Sequence, residues 1–238
     1  MKFLLLWLEA PLQAWGYNSR FDTRQTFSFP TKSGIYGLLL ASSGDSGPQC
    51  ELLERMKDAP FTAFSFLSTE EKKSNQEAYQ LCDYHMVGSG YDKSKKWESL
   101  HITRTSAGSV AVGGGARQTY RYYLQNKKFA VILGFEDALA EKFTASLKAP
   151  VFDLYLGRKC CVPTDFIFRG GFDSKDEARC AMLKLAEDKN LKPGKMLREV
   201  EISTDALLDD AFFLSDVPLE FGLHKRYADR CVQIVDYE

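Results

Sequence analysis

The segment FPTKSG places three residues that can hold an anion at the start of a predicted helix. Either Thr31 or Ser33 can cap the helix with its side-chain oxygen, which leaves free backbone N–H groups facing outward. The helix dipole and Lys32 add positive charge at the same point, as at phosphate-binding helix starts. The spacing is not that of a Walker A loop, which disfavours ATP or GTP; the alternative interpretation is a capped helix with a solvated lysine. With two arginines of the preceding loop, the candidates are Arg20, Arg24, Thr31, Lys32 and Ser33.

Tyr84 and His85 adjoin at the start of a basic region of the chain. Aromatic and imidazole rings stack on unpaired nucleic-acid bases, so the pair is a candidate for base contact. The His85 ring can also act as a general base, or can be an ordinary hydrogen-bonded residue of a strand. These two other roles stay open.

The segment RQTYRYYL, residues 117–124, alternates in the manner of a strand. Alternation puts Arg117, Thr119 and Arg121 on one face and Gln118 on the other. One face is thus cationic and suits a phosphate backbone, although an exposed strand without a ligand shows the same pattern.

A fourth segment, LYLGRKCCVP, has a turn at Gly157 followed by two cations, Arg158 and Lys159. Such turns occur on many surfaces, so this motif is weak when taken alone. Together, however, the four segments supply cations and aromatic rings from separate parts of the chain. Single-stranded nucleic acids need this mixture, because cations hold phosphates and rings hold bases.

Charge is unevenly distributed along the 238 residues. The net charge of −1 indicates no particular partner, but residues 93–128 carry eight Lys or Arg against one acid. Residues 199–220 carry seven acids and no base. This separation predicts a basic face and an acidic face, although charge runs are also common on solvated surfaces.

The cysteines and the apolar N-terminal stretch indicate the compartment. The six cysteines lack CxxC spacing, and the apolar stretch at residues 3–8 is too short for a signal sequence or a membrane span. We therefore expect a cytoplasmic protein with reduced thiols and no membrane contact. The three histidines show no metal-ligand spacing, so we expect no metal and no cofactor.

The order of predicted elements is typical of an α+β, ferredoxin-like β-α-β-β-α-β core in a single domain, residues 1–238. The insertion at 79–128 is too long for an ordinary connection, and we expect it to leave the domain as an extended hairpin. Residues 150–238 form a C-terminal extension that carries the closing strands, and the fourth core strand is not located. The predicted strands are 2–9, 61–67, 129–135, 197–203, 210–214 and 230–236, and the predicted helices begin near residue 32 and cover 49–58, 136–149 and 175–189.

Five segments resemble, in the same order, the CasD subunits of type I-E CRISPR Cascade complexes, within the RAMP superfamily. They are LEAPLQAWG, FDTRQTFSFPTKSGIYGLLLAS, DYH, RQTYRYYL and LYLGRKCCVP, and they span most of residues 3–163. The resemblance implies a modified RRM-like domain with a protruding β-hairpin thumb. It further implies a subunit of antiviral defence that grips the 5′ handle of the crRNA at one end of the Cascade filament.

The same resemblance implies partners and site residues. The neighbours would be the backbone RAMP subunit and the large subunit that reads the PAM, with target DNA contacted only indirectly. The RNA-binding residues that the resemblance implies include Tyr155, which was not among those given above. They are Arg24, Thr31, Lys32, Ser33, Tyr84, His85, Arg121, Tyr155, Gly157, Arg158 and Lys159, with Arg117, Gln118 and Thr119 on the returning strand of the thumb.

The alternative function is a metal-independent endoribonuclease that processes precursor crRNA, as in the type I-C relative. Such cleavage needs a base for the 2′-OH and an acid for the leaving oxygen, and Tyr84, His85 and Lys32 could form that set. Two points favour a non-catalytic subunit. In the I-E branch a separate subunit cuts the RNA, and adjacent Tyr84 and His85 would point to opposite faces of a strand. We therefore assign no catalytic residue.

Overall fold

The fold is known from a computed structural model that describes residues 1–17, 19, 22–68, 80–87, 107, 109, 117–201 and 210–237. The strands are β1 (Lys2–Glu9), β2 (Leu12–Gln13), β3 (Trp15–Gly16), β4 (Thr23–Arg24), β5 (Thr26–Phe27), β6 (Phe61–Ser68), β7 (Gln80–Val87), β8 (Arg117–Gln125), β9 (Lys128–Phe135), β10 (Phe168–Phe172), β11 (Leu191–Glu199), β12 (Ala211–Glu220) and β13 (Arg226–Asp236). The helices are α1 (Lys32–Ser43), α2 (Cys50–Met56), α3 (Asp137–Lys148) and α4 (Lys175–Asp188).

A seven-stranded antiparallel sheet in the order β10-β1-β9-β6-β11-β13-β12 runs through the molecule. The first four strands of this order are β10, β1, β9 and β6, and each neighbouring pair is antiparallel. Along the chain they occur with two of the helices in the order β1, α1, β6, β9, α3, β10. The predicted α+β class is confirmed. Sequence analysis predicted no strand at β10, whose sequence FRGGF pairs with β1 around a register shift between Leu5 and Leu6.

Three C-terminal strands extend the sheet beyond β6, and their bounds differ from those expected. β11 begins directly after α4 at Leu191, six residues before the predicted start. It contains Pro193 and Gly194, which are typical of loops, and the pairing of β11 with β6 shifts register between Pro193 and Met196. The irregularity accommodates a residue that cannot donate a ladder hydrogen bond. The predicted end of this strand, at 202–203, lies outside the described residues.

Both faces of the central strands are covered. On one face, α1 and α3 pack on alternate residues of β1 such as Leu4 and Leu6, which are 0% exposed. On the other face α4 covers Leu5 and Trp7, together with neighbours on β6 and β9. This explains the unbroken apolar run of β1, because a strand buried on two faces cannot alternate with polar residues. It also means that α4 occupies the middle of the second sheet face.

An ion cluster ties the end of α4 to β1. The Lys189 ammonium donates to Glu9 at 2.9 Å and lies 2.6 Å from a carboxylate oxygen of Asp165. Burial alone would raise the pKa of both carboxyls. Glu9 accepts hydrogen bonds from Trp7 and Lys189, and Asp165 accepts one from Lys189. These bonds outweigh the effect of burial and hold the pKa of both carboxyls below its ordinary range.

Lys189→Met should therefore make folding less sensitive to acid. In the wild type, the stabilisation from these carboxylates is complete above the ordinary carboxyl pKa of about 4 and is lost as pH falls through their lowered folded-state values. The variant should lose about 1 kcal/mol at neutral pH and show a smaller further loss between about pH 5 and pH 3. Thermal melts across this range measure the effect, with Lys184→Met, an exposed position on α4, as control. If Lys189→Met and wild type lost the same stability in acid, Lys189 would not be the group that lowers the pKa of these carboxyls.

Candidate nucleic-acid interface

Strands β7 and β8 form a hairpin that stands beside the main sheet. Their ladder is antiparallel over the full length of β7, from Gln80 opposite Leu124 to Val87 opposite Arg117. The other edge of β8 pairs with β2 and, in parallel, with β4. These pairings hold the base of the hairpin on the domain, and the segment 88–116 that joins its two strands lies largely outside the described residues.

The two faces of the hairpin carry different side chains. Leu81, Asp83, His85, Arg121 and Tyr123 share one face, because residues two apart on a strand point the same way. The other face carries exposed aromatic residues. Tyr84 and Tyr120 lie opposite each other with ring centroids 5.3 Å apart.

The turn at Gly157 docks on Ala14, the residue between β2 and β3. Leu156 and Ala14 are joined by a backbone hydrogen bond of 3.1 Å. Gly157 has φ +100°, and a Cβ at this position would lie 1.7 Å from the Ala14 carbonyl oxygen. Both the backbone angle and the close approach require glycine here. The close contact sets where the following residues, Arg158 and Lys159, are presented.

Arg158 connects the turn to the hairpin. Its guanidinium donates to the carbonyl oxygens of Tyr122 and Arg24, at 3.3 and 3.0 Å, and stacks over the Tyr123 ring at 4.5 Å. Hydrogen bonds to neutral carbonyls leave the full positive charge in place. Arg158 therefore fixes the geometry of this region and contributes a cation to it.

The hairpin face and the docked turn enclose a groove of about 630 Å³. This volume is in the range of pockets that hold small ligands. Five of the residues predicted from sequence line it, from three separate segments of the chain: His85, Arg121, Gly157, Arg158 and Lys159. The remaining lining residues are Leu12, Leu81, Asp83, Tyr123 and Cys160.

The charge of the groove is positive. Arg121, Arg158 and Lys159 contribute three cations against the single carboxylate of Asp83, whose oxygen Oδ2 is hydrogen-bonded to Nε2 of His85. Burial raises the pKa of the Tyr123 phenol, so this ring stays neutral. The groove can thus hold a phosphate between cations and a sugar or base against its apolar wall.

The structure gives Lys32 a different role from the one expected. The residue is 2% exposed, and its ammonium donates to Glu199 at 3.0 Å and to the Lys57 carbonyl at 2.7 Å. Burial lowers the pKa of this amine, and the Glu199 charge partly offsets the effect. A buried, paired lysine cannot reach an external phosphate, so Lys32 is removed from the candidate RNA surface.

The anion at the start of α1 belongs to the chain itself. Asp216 of β12 accepts a 2.6 Å hydrogen bond from the backbone N–H of Lys32 and a bidentate pair from Arg230. Thr31, which is fully buried, caps the helix through the N–H of Gly34. The helix start therefore does attract an anion, but a carboxylate of the protein fills the position.

The other predicted residues that the structure describes are not among the groove-lining residues. Arg24 is exposed on β4, beside Arg121 in the parallel pairing, and Tyr155 is half-buried with its hydroxyl 3.4 Å from Asp153. Ser33 is half-buried against Thr31 at the helix start. The outer hairpin face carries Tyr84 and Gln118, Thr119 lies opposite His85, and Arg20 and the Arg117 side chain lie outside the described residues.

Sequence analysis missed Asp83 as a groove residue. Its position two residues before His85 on a strand was the available signal, since alternation places both on one face. Leu12 gave no such signal, because β2 reaches the groove only through its pairing with β8.

Comparison with known proteins identifies the family of this chain. A family model described as CRISPR-associated protein (Cas_Cas5) matches residues 3–225. The chain belongs to this Cas5 family. Within it, the chain is 29% identical over 184 residues to the CRISPR system Cascade subunit CasD of Escherichia coli strain K12, covering 76% of this chain and 75% of the relative. The predicted resemblance to CasD is confirmed.

Solved structures agree with the family assignment. A chain of a CRISPR RNA-guided surveillance complex matches with a TM-score of 0.71 and 25% identity, covering 98% of this Cas5 chain and 89% of that chain. A crystal structure of a Cas protein matches in fold with a TM-score of 0.58 and 24% identity, covering 98% of this chain and 94% of that chain.

All six cysteines of the present chain are free thiols, and none of the described helices is long and apolar enough to cross a membrane.

Proposed function

We propose that this protein is a non-catalytic RNA-binding subunit of a type I-E Cascade surveillance complex in antiviral defence. It grips the 5′ handle of the crRNA and caps the backbone filament next to the large subunit. In this proposal the strands β10, β1, β9 and β6 with α1 and α3 are a ferredoxin-like core, and the β7–β8 hairpin is the base of the thumb.

One observation carries the proposal: Arg121, Arg158 and Lys159 meet His85 around a single groove, although they come from distant segments. Independent surface cations would have no reason to converge on one groove. An RNA end supplies the matching chemistry, because its phosphates need cations and its unpaired bases need rings.

The covered sheet supports the same location. RRM domains place stacking aromatics on an open sheet face. Here α4 buries the corresponding face, with Leu5, Phe64 and Ile132 each no more than 2% exposed. The hairpin groove is thus a better RNA site than the central sheet.

Charge reversal in the groove tests the proposal. Arg121→Glu or Lys159→Glu should weaken binding of repeat-derived RNA about ten- to hundredfold, because each replaces a charge-assisted phosphate contact with repulsion. Each variant should also reduce the slope of log affinity against log salt by about one. Fluorescence anisotropy at several salt concentrations measures both quantities, with Lys184→Glu on α4 as the matched control. Equal losses in the control and the groove variants would contradict the proposal, as would no loss in any of them.

The implied partners follow from this role. We expect contacts with the backbone RAMP subunit and with the PAM-reading large subunit, and contact with target DNA only through the assembled complex. The cytoplasm is the expected compartment, and the proposed role requires no cofactor. Co-purification with the neighbouring Cascade subunits and sequencing of the bound RNA would test these expectations.

An endoribonuclease remains the second candidate because His85 lies beside a carboxylate in the groove. The set proposed from sequence is nevertheless separated: Tyr84 is on the opposite hairpin face and Lys32 is buried. We expect purified protein to leave precursor crRNA intact with or without EDTA. Specific cutting that disappears in His85→Ala would favour the nuclease instead.

A further inference from the structure

Among the described residues that line the groove proposed to hold RNA, one is a carboxylate, Asp83. A carboxylate facing a phosphate backbone repels it, so this residue opposes the function of the three cations around it. Its side chain is 38% exposed, so the core does not require it. The placement makes physical sense if Asp83 faces a part of the RNA that donates hydrogen bonds.

The contacts of Asp83 leave room for a ligand. Its Oδ2 is shared with the His85 ring, which fixes the orientation of the carboxylate. Its Oδ1 is hydrogen-bonded to none of the described residues. A carboxylate oxygen has two lone pairs, so Oδ1 is open and Oδ2 can still accept a second hydrogen bond. Leu81, on the same face and 37% exposed, provides an apolar surface for a base.

We propose that Asp83 reads the Watson–Crick edge of one guanine of the bound RNA, with His85 as the residue that positions it. Guanine presents two adjacent donors, N1–H and the N2 amino group, which match the two oxygens of one carboxylate. Uracil presents one donor between two carbonyl oxygens, which the carboxylate repels. Sequence-specific proteins read single-stranded RNA through such base edges, and carboxylates accept from base amino groups. This inference rests on the proposed RNA-binding function and adds a base preference to it.

Selection from a random eight-nucleotide RNA pool tests the inference on the full-length protein. Wild type should retain RNA enriched in guanine at one position. Asp83→Asn, which replaces one acceptor oxygen with a donor, should still retain RNA but lose that enrichment by about fivefold or more. Asp173→Asn makes the same chemical change at an exposed position before α4 and should behave as wild type. Replacing the selected guanosine with inosine, which lacks the N2 amino group, should weaken wild type and leave Asp83→Asn unchanged.

The outcomes separate the two proposals. Retention of RNA without guanine enrichment, or an enrichment that persists in Asp83→Asn, would overturn the base preference and leave RNA binding intact. Stronger binding of all sequences by Asp83→Asn, with an unchanged preference, would show that Asp83 only repels phosphate and would overturn the inference as well. Failure of wild type to retain any RNA would overturn the proposed function and the inference with it.

Discussion

Asp216→Ala should lower the free energy of unfolding by about 3–5 kcal/mol, the largest single-residue effect that we expect on stability. Asp216 is 2% exposed and forms a bidentate pair with the buried guanidinium of Arg230. It also accepts the first backbone N–H of α1. Among the described residues, its removal leaves Glu199, which already pairs with the Lys32 ammonium, as the one carboxylate that contacts Arg230.

A matched control on the same strand separates this effect from the loss of an ordinary ion pair. Glu220 of β12 pairs with Arg226, whose side chain is 66% exposed, and Glu220→Ala should cost at most about 1 kcal/mol. Urea denaturation of both variants measures the difference. A cost below about 1 kcal/mol for Asp216→Ala would show that solvent, and not this carboxylate, compensates the cations at the start of α1.

Gly157→Ala should abolish most RNA binding, and this is the largest functional effect that we expect from a small substitution. A methyl group at this position meets the Ala14 carbonyl oxygen, so the turn must move away from Ala14. Arg158 and Lys159 move with it, and the groove loses two of its three cations. The backbone angle alone adds about 1–3 kcal/mol of strain.

Gly47→Ala is the control for Gly157→Ala. Gly47 also has a positive φ, +87°, but a Cβ there meets nothing within 4 Å. This variant should carry the same backbone strain and keep wild-type RNA affinity in the same anisotropy assay. Equal affinity of the two variants would show that the position of the turn does not matter for RNA binding.

The core elements could be predicted because each has a local signal. The predicted strand 2–9 and the predicted helix 175–189 agree closely with β1 and α4, and at the start of α4 the N–H of Glu177 donates to Ser174. β10 could not be found, since FRGGF contains two glycines and is defined by its pairing with β1. β11 begins before its predicted start, across Pro193 and Gly194, and a register shift that sequence does not reveal accommodates these two residues.

The site could be predicted in part. Strand alternation and the Gly-Arg-Lys turn indicated Arg121, Arg158 and Lys159 as candidate contacts for phosphate. Tertiary packing brings the three side chains to one groove. The same reasoning failed for Lys32, because local sequence indicates that an anion belongs at the helix start but not whether it is a ligand or a residue 184 positions away. The acidic stretch 199–220 was expected to form a face, yet Glu199 and Asp216 turn inward to balance Lys32 and Arg230.

Ultraviolet cross-linking of bound RNA, followed by mass spectrometry of the attached peptides, tests the central claim most directly. If one groove holds the RNA end, nucleotides should be attached to the β8 segment around Arg121 and to the turn at 154–161 in the same preparation, and Gly157→Ala should remove the second attachment. Cross-links confined to α4 or to the β11–β13 part of the sheet would contradict the claim.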